Sequence, residues 1–190
     1  MIRILAVIIV IALLSTVAIT FISQDNKNGP NDDEYNNESN VNYTETFVFN
    51  LLAGGQKNMS EYYGKIVLLD FMGANCGPCQ NMMYVLKQLS VDYPEIEIVS
   101  IDVWIVLGET SNTLQQMINL YSQQDVDLDW TFGYDDPSGT LFYKYNIDEN
   151  GVPLIHILDK NGNIYYTKKG YIDGYTDYSI LKQEIEKLIS

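Results

Sequence analysis

Ile66-Val67-Leu68-Leu69-Asp70-Phe71-Met72-Gly73-Ala74-Asn75-Cys76-Gly77-Pro78-Cys79 is the stretch that decides the fold. Its first seven residues form a nearly continuous apolar run between Gly64 and Gly73, the pattern of a central strand covered on both faces. A single carboxylate, Asp70, interrupts it. After the cysteines, Met82, Val85, Leu86 and Leu89 recur at helical spacing, and Tyr93-Pro94 ends the element. The two cysteines therefore fall at a strand-to-helix turn. Cys76 lies at or next to the helix N-cap, with Cys79 three residues along the same face. Unpaired backbone N–H groups and the helix dipole favour an anion there, so the Cys76 thiol ionises more readily than a free one. Cys79 is close enough to attack a mixed disulfide formed at Cys76, and Pro78 is tolerated in a first turn that needs no N–H from it. Two buried cysteines without redox chemistry, or half of a metal site, are the competing readings.

Outward from this stretch, Phe47, Phe49 and Leu51 alternate as in a half-buried strand and Gly54-Gly55 turns the chain. Ile96, Ile98, Val99 and Ile101 give the strand after the helix, so strand, helix and strand imply a parallel crossover. Leu114, Met117, Ile118 and Tyr121 mark a second helix. Asp136-Pro137 reads as a cap and first-turn proline for a short helix bearing Leu141, Phe142 and Tyr145. Val152–Leu158 is a further strand, Asn161-Gly162 a two-residue hairpin signal before a strand at Ile164–Thr167, and Leu181, Ile185, Leu188 and Ile189 a closing helix. The order β-β-α-β-α-β-α-β-β-α defines an α/β domain without internal repeats.

The chain has 190 residues and a formal net charge of −14, unevenly spread. Residues 1–22 carry only Arg3; residues 23–45 carry six acids and Lys27; residues 46–190 hold the remaining −10. Ile4 to Ile22 contains no charge, and 19 residues at 1.5 Å rise cover roughly 28 Å, close to the hydrocarbon thickness of a bilayer. Arg3 before it and acids after it place the N-terminus in the cytoplasm and the rest outside. A cleaved signal peptide, with Thr16-Val17-Ala18 as cleavage site, is the alternative for 1–22; both readings export the domain. Residues 23–45, rich in Asn and acids, read as a flexible tether, leaving 46–190 as the folded domain. Asn37-Glu38-Ser39, Asn42-Tyr43-Thr44 and Asn58-Met59-Ser60 match the N-glycosylation pattern, as chance allows in so Asn-rich a chain.

Composition removes other classes. Two cysteines and one histidine make neither a disulfide-stapled scaffold nor a four-ligand zinc site. The acidic balance argues against nucleic acid as a partner. Acidic pairs such as Asp32-Asp33 and Asp135-Asp136 lack calcium-loop spacing, and the 15 tyrosines are read as packing on strands.

The segment Leu69–Cys79 resembles the active-site segment of thioredoxins. From Thr46 onward the chain resembles the membrane-anchored, extracytoplasmic thioredoxin-like thiol-disulfide oxidoreductases of the TlpA/ResA type. Further points of likeness are the early extra strand before Gly64-Lys65, the helix inserted after Asp102, the turn Asp135-Asp136-Pro137-Ser138-Gly139, Gly151-Val152-Pro153, and Leu158-Asp159-Lys160-Asn161-Gly162. The resemblance implies a thioredoxin fold, a central mixed sheet with helices on both faces, carrying that extra strand and inserted helix. It implies that Cys76 and Cys79 form the redox disulfide and that Asp70, raised in pKa by burial, moves the proton of Cys79. It also implies that Pro153 is the cis-proline beside the cysteines, presenting the Val152 backbone to an extended substrate. No cofactor or metal is expected. The implied partners are exported protein thiols and disulfides, apocytochrome c among the candidates, and a membrane electron carrier, with the protein working as a monomer.

The chain departs from that pattern at Met72 and Asn75, where thioredoxins carry Trp, so the flat aromatic rim is missing; nor does the Ile96–Asp102 strand offer a Lys to pair with Asp70. Two alternatives follow from the residues. Cys76, Cys79 and His156 could hold Cu(I) for delivery, although a hydrogen-bonded structural His156 competes with that role. A thiol peroxidase would need a Pro-x3-Thr-x2-Cys pattern, and neither Thr nor Pro occurs between Ile66 and Asn75.

Overall fold

The computed structural model describes residues 45–190. The expectations placed on residues 1–44, namely the apolar span or signal peptide, nearly all of the tether and the sequons at Asn37 and Asn42, lie outside the described residues. Among the described residues no helix is long and apolar enough to cross a membrane.

The apolar run becomes a strand that lies inside the sheet, with all six of its residues buried. To follow it, the elements are β1 (Val48–Leu51), β2 (Gln56–Asn58), β3 (Val67–Met72), helix α1 (Gly77–Asp92), β4 (Glu97–Asp102), α2 (Ser111–Ser122), β5 (Thr131–Tyr134), the short helices α3 (Thr140–Lys144) and α4 (Ile147–Asn150), β6 (Leu154–Leu158), β7 (Ile164–Lys169) and α5 (Gly174–Ile189). Short 3-10 turns follow β2 (Met59–Tyr62) and β4 (Trp104–Leu107). The seven strands form one sheet in the order β2-β1-β5-β4-β3-β6-β7. β3 pairs parallel with β4, β4 parallel with β5, and β6 antiparallel with β3, which makes the sheet mixed.

Alternation along β3 divides the core in two. Leu68 and Met72 point into a cluster with Cys79, Met82, Leu86, Ile98, Ile155 and Leu181, beneath α1 and α5. Val67, Leu69 and Phe71 point the other way, into a cluster with Phe49, Val99, Ile101, Leu154 and Tyr145. Asp70 falls between Leu68 and Met72 and so shares the α1 face.

Three local expectations are corrected. Helix α3 starts at Thr140, not after Asp136-Pro137, because Gly139 is left-handed (φ 75°) and stops a helix from running through it. Asp135, rather than Asp136, caps it: its carboxylate accepts from the N–H groups of Leu141 and Phe142 at 2.9–3.0 Å, while Asp136 accepts from Ser138 N–H at 2.7 Å within the turn. The Asn161-Gly162 connection is a longer loop, since Asp159 Oδ1 accepts from the N–H groups of Asn161 and Asn163 at 2.8 and 2.9 Å and cross-strand pairing resumes only at Leu158 and Ile164. Glu45, assigned to the tether, is buried in the folded body, with its N–H bonded to the Gly162 carbonyl at 2.7 Å.

Candidate active site

Cys76 is the N-cap of α1, in extended backbone conformation, and Cys79 donates its N–H to Cys76 Sγ at 3.2 Å. Pro78 occupies the first turn, where no N–H is required of it. Cys76 and Cys79 are joined in a disulfide with Cα atoms 5.2 Å apart. Their exposure differs in the way that matters: Cys76 keeps 5% and Cys79 none, so an approaching thiol or disulfide meets Cys76. The Cys79 N–H directed at Cys76 Sγ, at the positive end of the α1 dipole, stabilises a thiolate there.

Opposite the disulfide runs the segment before β6. The Val152-Pro153 peptide is cis, and the Val152 carbonyl oxygen lies 3.8 Å from Cys76 Sγ. Pro153 is buried, and its carbonyl accepts from Gly170 N–H at 2.8 Å, which ties this segment to the end of β7. Cys76, Cys79, Val152 and Pro153 thus meet at one end of the sheet.

Asp70 is fully buried on the α1 face of β3. Ser100 Oγ donates to its Oδ2 at 2.9 Å, and Oδ1 has no hydrogen-bond partner. Burial pushes the carboxyl up to about 7, with the Ser100 bond opposing that rise. Asp70 is therefore a carboxyl whose proton is exchangeable near neutral pH.

Sequence reasoning missed the groups that hold the loop before Cys76. Glu109, just ahead of α2, accepts from the N–H groups of Ala74 at 2.7 Å and Asn75 at 2.9 Å with its two carboxylate oxygens. Asp102, buried at the end of β4, accepts from Trp104 N–H at 3.0 Å; burial, then the adjacent Glu109 carboxylate, push it up to about 8. Trp104, from the turn after β4, also packs on this loop: its ring lies against Gly73 so closely that a Cβ there would overlap it, a contact that only the juxtaposition of β3 and β4 reveals.

His156 does not join the cysteines. It lies on the opposite face of the sheet, 6.0 Å ring to ring from Phe71 and 5.5 Å from Tyr145, with Nδ1 hydrogen-bonded to Thr167 Oγ1 at 2.8 Å. Burial pushes its pKa down to about 4. The Cu(I) reading thereby loses its third ligand, and among the described residues no group of three or more His, Cys, Asp or Glu side chains is arranged to hold a metal ion.

A sheet of this order with a Cys-x-x-Cys disulfide at the helix N-terminus and a cis-proline facing it defines the class of thioredoxin-fold thiol-disulfide oxidoreductases of the TlpA/ResA type. Residues 64–164 match the family model described as Thioredoxin-like, and the chain belongs to that family. It is 27% identical to the thiol-disulfide oxidoreductase ResA of Bacillus thuringiensis subsp. konkukian over 126 residues, 65% of this chain and 66% of that protein. To ResA of Geobacillus kaustophilus it is 27% identical over 144 residues, 74% of this chain and 71% of that protein. In fold it is similar to a putative thiol:disulfide interchange protein DsbE from Chlorobium tepidum, with a TM-score of 0.65 and 21% identity over 78% of this chain and 96% of that one.

Proposed function

We propose that this protein reduces disulfides of exported client proteins outside the cytoplasm, held to the membrane by residues 1–22. The observation that carries the reading is the unequal burial of the two cysteines at the N-terminus of α1, with the Val152 carbonyl beside Cys76. In the reduced protein the Cys76 thiolate attacks a client disulfide, forming a mixed disulfide and expelling one client thiolate. Asp70 accepts the proton of Cys79. The Cys79 thiolate then attacks Cys76 Sγ, breaking the mixed disulfide and releasing the second client thiolate. Two electrons have passed to the client and the Cys76–Cys79 disulfide is restored, to be reduced again by a membrane dithiol carrier. Val152 and Pro153 supply the backbone edge against which an extended client segment lies. Apocytochrome c, with its paired cysteines, is a client of suitable chemistry, and the domain acts as a monomer.

The test combines a redox titration of the Cys76–Cys79 pair with insulin reduction. A reducing potential and activity lost in Cys76→Ser are expected. A potential near those of strong protein oxidants would overturn the direction of transfer, and Cys76-independent activity would overturn the enzyme reading.

A further inference from the structure

In the register of the parallel pair β3 and β4, Asp70 stands directly across from Ser100. Ser100 Oγ lies 2.9 Å from Asp70 Oδ2 and 3.1 Å from Trp130 Nε1. The indole N–H can only donate, so Ser100 receives it on a lone pair and its single hydrogen is left for Asp70. Asp70 Oδ2 is then an acceptor whether the carboxyl is charged or neutral. The proton of the neutral acid belongs on Oδ1, the oxygen without a partner.

We infer that Ser100 and Trp130 are positioning residues for Asp70: together they fix which carboxylate oxygen carries the exchangeable proton and strengthen the ionised form. The inference rests on the proposed proton exchange between Asp70 and Cys79. Trp130 polarises the Ser100 hydroxyl, which makes it a better donor to a carboxylate. A neutral relay thereby occupies the strand position where a lysine is absent. The other titratable or charged groups on this face are engaged elsewhere. Lys168 of β7 pairs with Asp177 of α5 at 2.5 Å and donates to the Gly170 carbonyl at 2.7 Å. Asp102 of β4 is set against Glu109, and Cys76 and Cys79 of α1 are joined to each other.

The experiment follows the Asp70 carboxyl by carbon NMR across pH in the oxidised protein, alongside the pH profile of insulin reduction. Ser100→Ala should raise the Asp70 midpoint by about one pH unit, a roughly tenfold change in ionisation. Trp130→Phe should raise it by less, and Ser100→Thr, which keeps the hydroxyl, should restore it. The rate profile should move with the midpoint. An Asp70 midpoint unchanged to within about 0.2 units in Ser100→Ala, folded by near-ultraviolet circular dichroism, overturns the relay. A midpoint that moves while the rate profile stays fixed leaves the relay standing and overturns the reading of Asp70 as the proton carrier.

Discussion

The two faces of the sheet both bury polar groups, and they treat them in opposite ways. On the face away from α1, Glu45 gathers the Tyr145 hydroxyl and Lys144, the latter at 2.8 Å, into a closed group. His156 beside it has one nitrogen on Thr167 and one without a partner, yet burial keeps the ring neutral across the physiological range. On the α1 face, Asp70 and Asp102 are pushed into the neutral range, to about 7 and about 8. One connects through β3 to the cysteine face, the other through Glu109 to the loop before Cys76. Apart from the buried Lys168–Asp177 ion pair on the α1 face, buried polar groups are thus spent on stability on one side and on exchangeable protons on the other.

The sharpest way to break this comparison is Asp70→Asn. Between about pH 4 and pH 7 the unfolded chain has lost the Asp70 proton while the folded chain keeps it, so stability falls as pH rises through that window. The amide cannot ionise and removes that loss. Chemical denaturation at pH 7.5 should show a gain on the order of 2–4 kcal/mol, shrinking towards pH 4, while client reduction slows. A destabilised variant at pH 7.5 would place Asp70 among the structural groups.

Tyr145→Phe tests the other face. Glu45 loses a hydroxyl donor, for a cost of about 1–3 kcal/mol in denaturant unfolding. Insulin reduction per folded molecule should be unchanged; a drop would show that the back network reaches the disulfide. The smallest effect is expected from Glu109→Gln. One amide oxygen replaces two carboxylate oxygens, so one of the Ala74 and Asn75 N–H groups loses its acceptor, for about 1 kcal/mol. Removing that charge should also lower the Asp102 midpoint, readable by carbon NMR, and an unmoved midpoint would separate the two carboxyls.

The long elements were legible because their periodicity is local: the β3 run, the 3.6-residue pattern of α1 and the cysteine spacing are each contained within a few turns of chain. What stayed hidden depends on register. Ser100 meets Asp70 only because β3 and β4 pair in one particular alignment, and Trp130 reaches Ser100 from the residue just before β5, a strand whose residues carry no strong pattern of their own. The three residues of β2 and the four of α4 are too short for any periodic signal. Asp135 and Asp136 are adjacent and chemically identical, so which of them caps α3 is decided by Gly139 and the path of the turn. Glu45 looked like one more acid of the tether, and only its contacts with Tyr145 and Lys144 separate it from the rest.

The chain has two tryptophans, Trp104 packed on Gly73 and Trp130 bonded to Ser100. One adjoins the loop that leads into the disulfide and the other is a single hydroxyl away from the buried acid. Intrinsic fluorescence therefore carries no background from distant indoles: opening the disulfide and ionising Asp70 each act on a neighbouring fluorophore, giving the molecule a label-free optical readout of its own redox and protonation states.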